Sequence, residues 1–496
     1  MDSVLCGLAA NPALPPELVD RLITALDEEC VGKLAECADL TRAQAVALAS
    51  RHEFSVVRLV ERGLLTADDV DPVTQPAAAL GLLAEGAGRP AWARLFAAHP
   101  DTERRESLAA CPDLPSDVLE TLAADPNPSV VAELALWAAP ELTARLAEHP
   151  HAGVRSAVAL NESTPPTVLA ALLTGEGLPP AQICRVCDPA EAPIPYDPWR
   201  SDSCDGSHES TVDEMRLRAL GNRATPPAAV VGFADHPFKL FRHFLAIRPD
   251  LPSATYERLA NSPEPGVRAA LAENPAIDEA LMRVLATDLD GDVLRNLACN
   301  PALPLDLLTH LAGTVRIGST LLPRVASASP VEVEELAASP NPAVRMLLAE
   351  RRDLPPEIRD TLAADPDAKV VKAIAPHPGL SVARLRAMVD RHGVRVIAQV
   401  AKNPDASPAL LEDLTRHEPP ARKAFPEIAR RPDATVPALL ACLSDRKARR
   451  VAAGHPALPP PVIAELLADD DWQVVAAAAA NPSLPLAVMV ELAPPM

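Results

Sequence analysis

Three cysteines and one histidine stand in a pattern suited to a metal ion: Cys184, Cys187, Cys204 and His208. The spacing is C-x2-C, then sixteen residues, then C-x3-H. Three thiolates and one imidazole make a tetrahedral set matched to zinc, and C-x-x-C is the usual chelating knuckle. Four protein ligands leave no open position for water, so the expected role of Zn2+ is structural, not catalytic. Asp202 and Asp205 are oxygen ligands that could stand in for His208. Tyr196 and Trp199 lie in the same stretch and read either as packing over the knuckle, the favoured reading, or as an exposed anchor for a partner. The stretch has too few apolar residues for a core of its own, and metal ligation is a way to order it.

Around this stretch the chain repeats itself. NPALPPELVDRL begins at Asn11, and its relatives include CPDLPSDVLETL at Cys111, NPALPLDLLTHL at Asn300, RRDLPPEIRDTL at Arg351 and NPSLPLAVMVEL at Asn481. The period is about 26 residues, and about 18 units fill the chain. The least regular frames fall near 74–100, 140 and 320–330. In one unit a Leu-Pro or Pro-Pro pair opens a helix, since proline suits the first helical turn. Leucines three and four apart follow as an apolar stripe. Asp-Pro ends that helix, with Asp as the expected N-cap of a second short helix such as VRAALAEN at 267–274. Asn-Pro closes the unit. Two such short helices cannot bury their apolar faces alone, but stacked copies can. The expected fold is all-α, a right-handed α-solenoid of two-helix repeats.

The cysteine-bearing stretch interrupts one unit. Asn161 and its successor Asn222 are 61 residues apart, an excess of 35 over the period. The expected division is repeats over 1–173, a zinc-binding insertion between the two helices of one repeat over 174–212, and repeats over 213–496.

This combination of Asn-Pro or His-Pro, a Leu-Pro helix start and an Asp-Pro…Val-Arg second half resembles the leucine-rich repeat variant family, akin to HEAT-like repeats. The resemblance covers most of the chain and implies a curved helical solenoid without implying a reaction. The family's founding type carries an iron–sulfur cluster on an N-terminal cysteine segment. Here Cys6, Cys30 and Cys37 include no C-x-x-C pair, so that feature does not carry over by position. The association does make [4Fe–4S] the alternative to zinc at Cys184, Cys187, Cys204 and His208.

Two columns of polar residues recur. Arg58, Arg155, Arg216, Arg268, Arg295, Arg345, Lys372 and Arg395 follow the Val position. They read either as an anion-binding ladder or, in the favoured reading, as partners of acids at the preceding turn such as Asp125, Asp288 and Asp365, within a unit or between units. Asn11, Asn161, Asn222, Asn274, Asn300, Asn403 and Asn481 are read as satisfying backbone groups between helices, with His99, His149, His377 and His455 as substitutes. Cys6, Cys30, Cys37, Cys111, Cys299 and Cys442 are read as small buried residues. Asp68-Asp69 and Asp469-Asp470-Asp471 read as loop caps.

The composition limits function. Hydrophobic residues make up 48% and charged ones 23%, a folded composition. The net charge of −21 argues against nucleic acid and anionic membranes. No signal peptide is read at MDSVLCGLAANPALPPELVDRL, and no stretch is apolar enough for a membrane span. Nine scattered cysteines suit the reducing cytoplasm rather than a disulfide framework. No phosphate loop, G-x-S-x-G, H-E-x-x-H or G-x-G-x-x-G is present. The expected function is a non-enzymatic scaffold binding a protein or peptide, with an iron–sulfur redox or regulatory repeat protein as the alternative.

Overall fold

A computed structural model describes residues 3–37, 39–52, 55–181 and 209–494. Those residues form helices and connecting turns, with no strand among them. The helices come in consecutive short pairs, and second helix stacks on second helix down the chain as an α-solenoid, as where Pro265–Glu273 packs on Gly291–Ala298. Two compact units are distinguishable. One comprises Met1–Ala78 with Gly318–Met496, and the other Ala79–Ile317.

Proline and acid punctuate each pair differently from the expectation. In the Leu-Pro copies the proline is the N-cap itself, extended at φ −57° and ψ 144° for Pro304, and only the second proline of a Pro-Pro copy, such as Pro356, lies inside the first turn. The Asp of Asp-Pro is not the cap of the second helix. That role falls two residues later, to Asn127, Asp290 and Asp367, whose side chains accept from the backbone N–H two residues on. Asp125, Asp288 and Asp365 accept the N–H of those cap residues instead (2.8–2.9 Å), which frees one carboxylate face for another partner.

Of the frames expected to be least regular, 74–100 holds helices Pro76–Ala84 and Pro90–Ala97 and the frame at 140 holds helix Pro140–Leu146, while in 320–330 Pro323–Ala326 is a single helical turn.

The two chain ends share one repeat. Helix Leu486–Leu492 is a first helix whose second helix comes from the other end of the chain, Ser3–Ala9. The latter packs against Trp472–Ala479 on one side and Glu28–Cys37 on the other. Gly7 makes the approach possible: a Cβ there would lie 2.3 Å from the Ala476 carbonyl oxygen and 2.6 Å from the Ala479 Cβ. Arg21 ties the same joint, donating to the carbonyls of Ala493 and Pro494 at 2.5 Å.

Candidate functional site

The insertion is framed by ordinary repeat structure. Helix Pro166–Thr174 ends at Gly175, whose φ of 78° is the left-handed conformation glycine favours at a helix C-terminus. Helix Glu209–Gly221 follows the insertion and packs on that helix and on Ala152–Leu160. Cys184, Cys187, Cys204, His208, Tyr196 and Trp199 lie outside the described residues.

The asparagine column does one job throughout. Asn300 donates through Nδ2 to the carbonyls of Ala272 (2.9 Å) and Asn274 (2.8 Å) in the preceding repeat, and accepts at Oδ1 from the Ala302 N–H (2.9 Å). Asn274, Asn403 and Asn481 repeat this pattern 26 and 28 residues back. Asn222 makes the same bonds across the insertion, to Ala159 (3.0 Å) and Asn161 (3.1 Å), so the excursion leaves the stack in register. Asn11 continues the ladder onto the opposite chain end, donating to Ala479 and Asn481 at 2.9 Å.

Other side chains substitute by the same logic. His377 Nε2 faces the Ala349 carbonyl at 2.7 Å, and burial pushes its pKa down to about 4. Arg248, Arg351 and Arg431 each reach carbonyls of the repeat before and pair with an aspartate two residues on, a solution the sequence pattern alone did not suggest.

The arginine column is mainly structural, with one correction of direction. Arg268 meets Asp288 and Arg345 meets Asp365, each at 2.6 Å, and the acid belongs to the following repeat, 20 residues on, rather than to the preceding turn. Arg105–Asp125 and Arg449–Asp469 are the same pair at positions the Val-Arg pattern missed. The Arg268 guanidinium holds the Asp288 carboxyl below its usual range through its hydrogen bond. Arg58 pairs with Glu36 and Glu61, Arg216 with Asp213, and Arg295 with Asp292. Among the described residues Arg155 forms no ion pair, and it donates to the carbonyls of His149 (2.6 Å) and Pro179 (2.8 Å). Lys372 and Arg395 are the exceptions: among the described residues neither meets a carboxylate.

The cysteines divide. Cys111 and Cys442 are buried free thiols, and burial pushes their pKa values up to about 11 and about 12, which makes them poor nucleophiles. Cys299 is a half-buried free thiol. Cys6 and Cys30, read from sequence as separate buried thiols, are instead bonded to each other as a disulfide with Cα atoms 4.7 Å apart. Stacking of Ser3–Ala9 on Glu28–Cys37 brings together two residues that sequence spacing alone does not pair. With Asp27 they form a group of three potential metal donors, but the Asp27 Oδ1 accepts the Cys30 N–H at 3.1 Å and both sulfurs are already bonded. Asp69 and Asp469 accept from Arg42 and Arg449 and, with Asp471, bond backbone N–H groups of their own turns, as loop acids do. No helix among the described residues is long and apolar enough to cross a membrane.

No protein-family model matches the chain, and no curated protein sequence matches it. Solved structures similar to it include an engineered protein, 15% identical, covering 97% of this chain and 98% of that one with a TM-score of 0.16. A crystal complex of SYS-1 with POP-1 is 9% identical over 94% of this chain and 92% of that one, TM-score 0.17. The Pds5–Scc1 complex is 14% identical over 96% and 68%, TM-score 0.16. Overlaps at this level carry no functional inference.

Proposed function

We propose that the chain is a non-enzymatic protein-interaction scaffold of the leucine-rich repeat variant kind, acting in the cytoplasm, with a structural zinc ion in its insertion. One observation carries the scaffold reading. The polar residues that recur from repeat to repeat, the asparagines and the Arg–Asp pairs, are consumed between repeats. Variation from repeat to repeat is left to the exposed helix faces, and an extended surface of that kind suits recognition of a protein or peptide.

The donor chemistry supports zinc: Cys184, Cys187, Cys204 and His208 supply three thiolates and an imidazole, a complete set. Bound there, zinc supplies a cross-link that orders a core-poor segment. The free thiols Cys111, Cys299 and Cys442 support the cytoplasmic placement, while the Cys6–Cys30 bond is one that burial would have to protect from reduction.

Metal analysis tests the insertion. The purified chain should hold one zinc, lost in a Cys184→Ala, Cys187→Ala variant. Iron with absorbance near ~400 nm would replace zinc with a cluster. Affinity capture followed by reconstitution with the purified partner tests the scaffold. A stoichiometric complex is expected, and a captured small-molecule substrate turned over by the chain would contradict it.

A further inference from the structure

One stretch of this acidic chain is basic. Residues 366–450 hold 16 Lys and Arg against 9 Asp and Glu, a net +7 within a total of −21. The cations are not scattered. Each second helix closes on a buried pair, such as Ile374-Ala375 or Val400-Ala401. Five residues before the first member of that pair stand Lys369, Arg395, Lys423 and Lys447 in four consecutive repeats. The same position elsewhere holds Glu103, Ser129, Gly153, Glu214, Leu240, Gly266 and Asp292.

Three of these repeats form a groove of ≈ 890 Å3. Its cations are Lys369, Lys372, Arg395, Arg422 and Lys423, all exposed. Among the described residues Lys369, Lys372, Arg395 and Lys423 have no ion-pair partner, and Arg422 reaches only Asp445 at 3.9 Å. The carboxylate at the edge, Asp367, is engaged in accepting the Lys369 backbone N–H at 2.7 Å. Between the cations lie Ala398 and Ala421, too small to fill the space. Elsewhere most of the recurring arginines meet acids, as Arg268 and Arg345 do; here four cations gather around one carboxylate, Asp367, that is already engaged with the backbone.

We propose that this groove binds an acidic, extended peptide segment of a partner protein, which deepens the scaffold reading by naming the partner's chemistry and rests on it. Helices packed side by side sit about 8–10 Å apart. An extended chain in the polyproline II conformation rises about 3.1 Å per residue with three residues per turn, so every third side chain returns to the same face. A peptide crossing the three helices therefore presents one side chain to each cation about every third residue. The small residues between the cations let its backbone lie close, and the −21 total repels acidic chains from most of the remaining surface, which sharpens selection of this face.

The test uses the full chain and a fluorescein-labelled peptide with glutamate at every third position, spaced by serine and glycine. Fluorescence anisotropy should show saturable binding that weakens as salt is raised. The variant Lys369→Glu, Arg395→Glu, Lys423→Glu should bind at least about tenfold more weakly, and the corresponding Gln substitutions should fall between it and the wild type. A control with the same charge change, Arg223→Glu, Lys239→Glu, Arg316→Glu, should stay within about twofold of the wild type. Equal binding by wild type and the first variant, an equal loss in the control, or absence of binding by the wild type overturns the proposal. So does tighter binding at equal ionic strength to a thymidine oligonucleotide or to phosphatidylserine vesicles. Failure here leaves the capture experiment on the scaffold reading standing, so the two are separable.

Discussion

Helices 102–298 and helices 368–453 are built from the same interior and finished with opposite exteriors. Inside, both use asparagine to tie each repeat to the last, as Asn274 and Asn300 do in the first region and Asn403 does in the second. Both use the Arg–Asp pair 20 residues apart, Arg268–Asp288 in one and Arg449–Asp469 in the other. Outside, one position carries acids, glycine, serine and leucine in the first region and only Lys or Arg in the second. The constant part is explained by stacking. The varying part is not required by stacking, and that is why function is sought there.

If the interior is the same device in both regions, equivalent damage should cost the same in each. Replacing Asn300 by Leu leaves two carbonyls and one N–H of adjoining repeats without their partner. The loss should be about 3 kcal/mol by urea unfolding, and Asn403→Leu should match it. A large inequality would show that the two regions are held differently.

The shared terminal repeat extends the comparison to the chain ends. Gly7→Leu should cost about 1–3 kcal/mol, because its side chain meets the Ala476 carbonyl and the Ala479 methyl. Unchanged stability would mean that Ser3–Ala9 does not dock there in solution.

Asp288→Asn, which breaks the half-buried pair with Arg268, should cost about 1–2 kcal/mol. Asp117→Asn removes the exposed pair with Arg94, where both side chains are more than half accessible, and should leave unfolding unchanged. The Asp288 carboxyl is held below its unfolded-state pKa, so its contribution is present above about pH 4 and is lost as the pH falls further.

At His377 the effect is expected in the pH dependence rather than at neutral pH. Its folded pKa of about 4 lies below the unfolded value, so its neutral form is favoured by folding. Stability should be constant above about pH 6.5 and fall as acid protonates the unfolded chain first, down to about pH 4. His377→Asn, which installs the array's usual occupant, should remove that part of the pH dependence. A variant retaining the full slope would place the titration elsewhere.

The repeat and its asparagine ladder were legible because the same residue returns at the period of the stack, and a periodic residue must meet a periodic environment. The Arg–Asp pairing was legible as chemistry but not in direction, since 20 residues of sequence become one contact only when the following repeat folds back alongside. Lys372 and Arg395 each follow a valine as the paired arginines do, but Lys372 sits near the end of helix Ala368–Ile374 and Arg395 in the 3-10 turn Gly393–Arg395 ahead of helix Ile397–Ala401, and position along the repeat decides whether a side chain faces the next repeat or solvent. The Cys6–Cys30 bond was hidden because its partners sit on stacked helices rather than in a local motif. The four metal donors in the insertion are a local pattern, so they needed no fold to be noticed.

Hydrogen exchange on the full chain, with and without the glutamate peptide, bears most directly on the division between a structural interior and a recognising exterior. The account predicts slowed exchange in Ala368–Ile374, Ile397–Ala401 and Phe425–Ala429 and none in Pro265–Glu273 or Gly291–Ala298. Protection centred on those last two helices, or spread evenly over all second helices, would contradict it.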